Sequence, residues 1–344
     1  MPLFFNKLEK IIFKNLNLAP APMFDLLGGF SFYIISAAVK LNIFEVLKDG
    51  GLALEDLSVK TGSDTRGLEI LLKCLESLDY VKKKDDRYHI TGMTAKWMLK
   101  SSEADFKSGF EYYHSTMMEL WPYISESVKA GKENINFYEW LSDKPDVAES
   151  YQKFMMSLAV MNLPEILKRI SMKKERVLDI GGSHGLYSIS LCRKFSDIDV
   201  TIIDTEYSMP FLGNNIESAG IKDRIHTVTG DFLRYDFNSG FDAILLFNVL
   251  HEHREQENLP IIQKIYNSLD LGGRVIILES VSNKKISQAA DFGVGIYSLL
   301  FYHFLGGQNY YFEEIKSWLM NTGFKKIKRK NLYKSGFCII EGWK

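Results

Sequence analysis

Apolar and polar positions change their rhythm along the chain. Up to about residue 100 the spacing is that of short helices. The run FSFYIISAAVKLNIFEVL (30–47) is apolar on more than one side, with Ala37 and Ala38 small enough for close helix contact. LALEDLSVKTG (52–62) and DTRGLEILLKCLESL (64–78) predict a helix–turn–helix. Asp64 caps its second helix, and Leu68, Leu71, Leu72, Leu75 and Leu78 form the apolar face. YVKKKDDRYHIT (80–91) predicts a wing of strand, Asp-containing turn and strand. Helical spacing continues through 101–170, where FEYYHSTMMELWPYI and YQKFMMSLAVMNLPEIL are rich in Met and aromatic residues. From Arg176 onward strands and helices alternate. Strands are expected at VLDIG (177–181), VTIID (200–204), RIHTVTGDF (224–232, ending at Asp231), FDAILLFNVL (241–250) and GRVIILES (273–280). A helix over 309–323 then precedes an antiparallel pair, IKRKNLY and GFCIIEGW. The expected organisation is a winged-helix-like part at 1–100, a helical connector at 101–170 and an α/β sheet domain at 171–344.

Composition narrows the partners. The 344 residues carry 42 Lys and Arg against 43 Asp and Glu, a formal charge of -1. No basic excess points to nucleic acid. The second helix of the helix–turn–helix sets Asp64, Glu69 and Glu76 against Arg66 and Lys73, and such an acidic face does not suit a DNA groove. Lys82, Lys83 and Lys84 read as a solvated strand edge. Pairing of two copies through the apolar first helices is the expected use of this region. Cys74, Cys192 and Cys338 have neither metal nor redox spacing and suit a reducing compartment. The start, MPLFFNKLEKIIFKNLNLAP, lacks the uninterrupted apolar core of a signal peptide. No apolar run approaches the roughly 20 residues that span a bilayer. A cytoplasmic location without membrane partners is therefore expected.

Candidate chemistry gathers at the carboxyl ends of the strands, where open α/β sheets bind ligands. RVLDIGGSHG is a strand that ends at Asp179 and breaks into a turn through Gly181, Gly182 and Gly185. The next strand closes on Asp204, where an acidic side chain would hold a ribose diol. A dinucleotide turn would read GxGxxG, whereas GGSHG has GxxxG spacing and fits a less phosphate-centred nucleoside such as S-adenosylmethionine. A plain strand-to-helix connection is the alternative reading of the turn. Asp231 is placed to accept from an adenine amino group, with a helix cap as its alternative, and Phe232 to cover the purine face or simply to pack. His251 follows the apolar run AILLFNVL and suits removal of a proton from a hydroxyl near neutral pH. Glu279, one strand away, can hold the other ring nitrogen. Glu252 is adjacent in sequence and either joins the site, points to solvent or caps the next helix. HEH lacks the HExxH spacing of a zinc site, and no metal is expected. His114, Met118, Trp121, Met155 and Met156 are candidates for the wall of a flat apolar substrate pocket, with ordinary core as the alternative.

Together VLDIGGSHG, IIDTEY, VTGDF, LLFNVLHEH, LGGRVIILES and the GG-containing segment before NTGF resemble the S-adenosylmethionine-dependent small-molecule O-methyltransferases of the plant phenolic and bacterial polyketide tailoring type. The resemblance spans nearly the whole chain. It implies a Rossmann-like class I methyltransferase sheet with an N-terminal, mostly helical winged-helix dimerisation domain, a homodimer, and S-adenosylhomocysteine as product. By the same resemblance Gly181 and Gly185 cradle the methionine part of the cofactor, Asp204 binds ribose and Asp231 sits at adenine. His251 is the general base and Glu279 orients it. Asp179, Phe232 and Phe247 complete the expected cofactor set. Three departures stand out. Ser183 and His184 replace small glycines. Phe247 stands where plant members often have a lysine near adenosine. Asn309 of GGQN replaces a second acid that brackets the base, with His303 expected to face the substrate and compensate. Methyl transfer to carbon or nitrogen, or a non-methylating reaction on the same scaffold, are the alternatives. A nicotinamide enzyme, a ligand-responsive DNA regulator and a purely structural protein fit the residues less well.

Overall fold

A computed structural model describes residues 22–102, 104–281, 288–333 and 336–344. The chain divides into two compact units, 1–119 with 146–157, and 120–145 with 158–344, so the residues expected to form a separate connector are distributed between both.

The first unit contains α1 (Pro22–Lys40), α2 (Ile43–Val46), α3 (Leu54–Thr61), α4 (Thr65–Ser77), the hairpin β1 (Val81–Lys84) and β2 (Arg87–Ile90), α5 (Gly92–Trp97) and α6 (Phe106–Glu119). The Asp64 carboxylate accepts the Gly67 N–H at 2.8 Å and starts α4, satisfying one of the donors that a helix start leaves unpaired. Leu68, Leu72, Leu75 and Leu78 are buried as the leucine spacing predicts, and Leu71 is half-buried against the same cluster. The wing closes through Asp85 and Asp86, both at positive φ (50° and 58°), the two-residue turn whose twist matches paired strands. On α1, Ile35, Ala38 and Val39 enter the core. Met23, Leu26, Phe30 and Tyr33, spaced along one face, are exposed, Leu26 and Phe30 by 64% and 63%. This 19-residue helix is long and apolar enough, by length and composition, to cross a membrane, which corrects the expectation that no run approaches that length. The opening segment MPLFFNKLEKIIFKNLNLAP lies outside the described residues.

The second unit is built on a sheet of seven strands. Its elements in chain order are α7 (Ile124–Ala130), α8 (Phe137–Ser142), the later part of α9 (Pro145–Arg169), β3 (Glu175–Ile180), α10 (Leu186–Lys194), β4 (Ile198–Asp204), α11 (Met209–Ala219), β5 (Ile225–Thr229), β6 (Phe241–Phe247), α12 (Glu255–Ser268), β7 (Leu269–Ser280), α13 (Gln288–Leu305), α14 (Phe312–Thr322), β8 (Lys325–Asn331) and β9 (Phe337–Trp343). The strand order is β5-β4-β3-β6-β7-β9-β8, parallel except for β9, which runs antiparallel to both neighbours. Successive residues point to opposite faces. On β6, Ala243, Leu245 and Phe247 join one core with α9, α10 and α11, while Ile244 and Leu246 join a second with α12 and α14. The chain turns one way from β3 through β4 to β5 and the other way to β6. The carboxyl ends of β3 and β6 thus form the switch point where ligands enter such sheets.

Three boundaries differ from the pattern-based expectation. The strand expected to reach Asp231 ends at Thr229. The strand expected to reach Leu250 ends at Phe247, because Asn248 takes φ 59°. The last helix starts at Phe312, where the Glu314 carboxylate accepts the Tyr311 N–H at 2.6 Å. Replacing Asp64 with Ala removes a cap that nothing else on α4 supplies, and is expected to lower stability by about 1 kcal/mol in urea unfolding monitored by circular dichroism.

Candidate active site

The turn after β3 is compressed on every side. Gly181, Ser183 and Gly185 have φ of 69°, 46° and 72°. A Cβ on Gly181 would lie 2.9 Å from Val249 Cγ2, one on Gly182 would lie 2.6 Å from Ile202 Cγ2, and one on Gly185 would run into Leu212. Larger residues cannot be accommodated without moving β4 or the turn after β6. At the end of β4, Asp204 accepts the Ser183 N–H on Oδ2 and the Thr205 N–H on Oδ1, both at 2.7 Å. Oδ1 also accepts the Thr205 hydroxyl at 3.3 Å, so Oδ2 is the oxygen that keeps a lone pair for a further donor. Below the turn Asp179 is almost fully buried and accepts the Ser188 hydroxyl at 2.5 Å. Burial pushes its carboxyl up to about 7, the Ser188 bond opposing and the Asp204 charge adding. Asp179 therefore braces the turn against α10 from beneath. The two residues that depart from the resemblance have local work. Ser183 supplies the bond to Asp204, and His184 accepts the Leu186 N–H on Nδ1 at 3.1 Å at the start of α10, with burial lowering its pKa to about 4.

Asp231 is exposed and accepts the Leu233 N–H at 2.9 Å, a turn-forming bond that leaves its other oxygen 3.5 Å from Arg234. Phe232 meets the His253 ring edge-to-face at 5.6 Å, and its edge would lie 3.7 Å from a Cβ on Gly181. Phe247, expected at the cofactor, is buried in the core with its ring edge-to-face on Tyr187 at 5.2 Å, on the face that the β6 alternation assigns to it.

Beyond Asn248 the chain makes one 3₁₀ turn, Leu250–Glu252, and this turn presents His251. The Glu279 carboxylate, at the end of β7, takes two bonds: the His251 ring at Nδ1 (2.6 Å) and the Leu250 N–H (2.9 Å). Phe301 of α13 stacks on the imidazole at 3.9 Å. None of the described residues bonds Nε2. Burial is the largest influence on His251 and lowers its pKa. The charge and hydrogen bond of Glu279, with Glu252 adding, outweigh it and leave the value above that of a free histidine. Glu252 neither points freely to solvent nor caps α12. The Tyr138 hydroxyl reaches both of its oxygens, at 3.0 and 2.9 Å, and the α12 start is held instead by Glu257 accepting the Arg254 N–H at 2.9 Å. Burial pushes Glu252 up to about 7, against the lowering pull of His251 and Tyr138. A Cβ on Gly307 would collide with the His251 carbonyl, so the GG pair is what lets the following segment lie against this turn. Tyr138, Phe301 and Gly307 were not singled out from sequence. Only the GG pair carried a local signal, and it was read for Asn309 alone.

The expectation that His303 faces the substrate is overturned. It is fully buried, with Nε2 donating to the Leu120 carbonyl at 2.9 Å and Nδ1 paired with the Ser127 hydroxyl at 2.8 Å. Both ring nitrogens are occupied within the core. Asn309 is buried too, its N–H donating to Ser298 Oγ at 3.2 Å and its side-chain NH₂ to the Val294 carbonyl at 3.1 Å, which ties it to α13. Trp121 is half-buried, edge-to-face with Phe304 at 6.3 Å. In the first unit, His114 Nε2 accepts from Lys40 at 2.9 Å, and burial together with that charge lowers its pKa. Met118 is exposed and receives the Tyr33 hydroxyl on sulfur at 3.4 Å, while Met155 and Met156 are half-buried.

Comparison with known proteins adds a lineage to this geometry. The profile of the O-methyltransferase domain matches residues 121–325, and that of the O-methyltransferase dimerisation domain matches 24–101. An L-tyrosine C(3)-methyltransferase of Streptomyces lavendulae is 28% identical over 271 residues, 75% of this chain and 74% of that protein. The 3-hydroxy-5-methyl-1-naphthoate 3-O-methyltransferase of Streptomyces sahachiroi is 24% identical, with 90% of each chain covered. The solved structure of PigF, a Serratia protein, with S-adenosylhomocysteine has a TM-score of 0.83 at 20% identity. It covers 99% of this chain and 100% of that one, which shows a shared fold.

The buried acid beneath the turn gives a pH signature. The folded protein holds the Asp179 proton more tightly than the unfolded chain, whose carboxyl titrates near 3.8, so stability falls as pH rises from about 4 to about 7. Asp179→Asn keeps an acceptor for Ser188 and removes that dependence. Urea unfolding across this range should show the variant gaining on the native protein by at most about 1.4 kcal/mol per pH unit, and parallel curves would exclude the buried proton.

Proposed function

The chain belongs to the O-methyltransferase family, whose members use S-adenosylmethionine, and from that premise we propose that it methylates a hydroxyl of a small, largely apolar, aromatic metabolite with His251 as general base. The observation that carries the reading is the Glu279 carboxylate on His251 Nδ1 at 2.6 Å, which fixes the ring so that Nε2 is the nitrogen left to take a proton.

The residues present fit the cofactor. Asp204 retains an acceptor site on Oδ2 for a ribose hydroxyl, and the glycine turn brings backbone close beside it. Phe232 supplies an apolar ring, and Asp231 an exposed carboxylate, for an adenine. When bound, S-adenosylmethionine supplies an electrophilic methyl group. The chain's own contribution is proton handling and orientation. Nε2 accepts the hydroxyl proton, Glu279 stabilises the imidazolium that results, and Phe301 fixes the plane of the ring. A raised His251 pKa strengthens the base, and activity should rise with pH as the free ring loses its proton.

Methyl transfer to carbon is the second reading, favoured by the C(3)-methyltransferase relative and by Asn309 in place of an acid. Product analysis separates the two. The exposed face of α1 supports a homodimer. Burying Leu26 and Phe30 against a second copy returns on the order of 1.5–3 kcal/mol for each side chain fully covered.

Calorimetric titration with S-adenosylmethionine and S-adenosylhomocysteine should show micromolar binding, with NAD inert as control. Absence of binding by both sulfur compounds to a folded protein would move a non-methylating reaction to the front. With an acceptor found among hydroxylated aromatics, His251→Ala should cost at least about 10²-fold in turnover. It should leave S-adenosylhomocysteine affinity nearly unchanged, and full activity would remove His251 from the role. Phe30→Asp should shift the sedimentation coefficient from dimer towards monomer. An unchanged dimer would place the interface elsewhere.

A further inference from the structure

Residues 133–138 are joined to the turn that carries His251 by side chains of the second unit. The Tyr138 hydroxyl lies 3.0 and 2.9 Å from the two oxygens of Glu252. Glu133 forms an ion pair with Arg254. Gly306, at φ 81°, passes so close to this pair that a Cβ would fall 2.6 Å from the Glu133 carboxylate.

A phenol has one hydrogen to donate. Two nearly equal distances therefore centre the O–H on the carboxylate and hold the Glu252 side chain in one orientation. A donor of this kind favours the ionised form of its acceptor. Glu279 from β7, together with Glu252 and His253 from the same turn, are the titratable groups that act on His251. Phe301 covers the ring from α13, and Asp204 at the end of β4 acts on Glu252. The two glutamates differ in what they do. Glu279 grips Nδ1 directly, whereas Glu252 spends its hydrogen bonds on Tyr138 and reaches the imidazole only through its charge.

We propose that Tyr138 is a positioning residue that favours the ionised form of Glu252 beside His251, so that Glu252 acts as a second carboxylate supporting the imidazolium. This rests on the base role of His251 proposed above. In the reaction a proton passes from the acceptor hydroxyl to Nε2, its bonding pair staying on oxygen, and neither glutamate takes that proton. Without the phenol, Glu252 binds a proton more readily and its field at His251 fades.

The test needs no acceptor substrate. The ring C–H signals of the seven histidines are followed by NMR against pH in the full chain, with His251→Gln identifying the signal of interest. Glu252→Gln should lower the His251 midpoint by about one pH unit. Tyr138→Phe should lower it by a smaller amount of the same sign, leaving the other midpoints and S-adenosylhomocysteine affinity within error of the native protein. An unchanged His251 midpoint in either variant overturns the proposal, as does a Tyr138→Phe effect confined to cofactor affinity. Should Tyr138→Phe fail to fold, the near-isosteric Glu252→Gln decides. The two failures are distinguishable. A fully active His251→Ala sinks the base assignment whatever the titration shows, whereas an inactive His251→Ala with unmoved midpoints sinks the positioning role alone.

Discussion

Parallel pairing of β6 with β7 sets Phe247 against Leu278, which leaves Glu279 one residue beyond the last pair, directly opposite the chain as it leaves the sheet. From there one carboxylate reaches both the Leu250 N–H and His251 Nδ1. The first bond fixes the backbone of the turn and the second fixes the ring it carries. A carboxylate this buried is tolerated only because donors occupy both of its oxygens. Removing the imidazole would strand a buried charge, and removing the carboxylate would leave the Leu250 N–H and the ring without their partner. Asn258 completes the frame by donating to the Leu250 and His253 carbonyls at 2.9 and 3.2 Å. The position of His251 is thus a consequence of sheet register.

The cofactor side is organised by the same kind of economy. The β3 turn is held by backbone N–H groups on Asp204 and by the Asp179–Ser188 bond beneath it. Residues 177 and 179 point to one face of the sheet, residues 178 and 180 to the other. Asp179 is therefore turned into the layer of α10, where Ser188 is its hydrogen-bond donor among the described residues, and burial raises its proton affinity. Asp204 stands at the strand tip, where two backbone donors and the Thr205 hydroxyl meet its carboxylate. Two buried acids in neighbouring strands thereby differ, one met from beneath by a hydroxyl of α10 and one held by the backbone of the turns at the strand ends.

What the sequence made legible follows the range of the interactions. The cap at Asp64, the two-Asp turn of the wing and the approach of Glu279 to His251 rest on local pattern and on register and are readable, whereas the ends of β5 and β6 are not, because positive φ at Asn248 and the turn at Gly230 stop the strands before their apolar runs end. Phe247 was also within reach, since alternation with Ala243 and Leu245 assigns it to the core, but its position by resemblance was given more weight. His303 was not readable. Its partners Ser127 and Leu120 lie 176 and 183 residues away, and nothing in the run SLLFYHFLGG distinguishes a satisfied core histidine from a site residue. Tyr138 stands 114 residues before Glu252 for the same reason. Periodicity tells which face of a helix is buried and is silent on which distant polar group it meets.

Charge connects the two sides of the site. Asp204 and Glu279 each raise the proton affinity of Glu252, whereas His251 and the Tyr138 hydroxyl lower it. Like carboxylates brought this close repel, and the Tyr138 hydroxyl and the His251 ring are what offset that repulsion at Glu252. The orientation and the proton affinity of His251 then have a common electrostatic origin, in which Glu279 contributes by direct contact, Glu252 through its charge, and Tyr138 at one remove through Glu252.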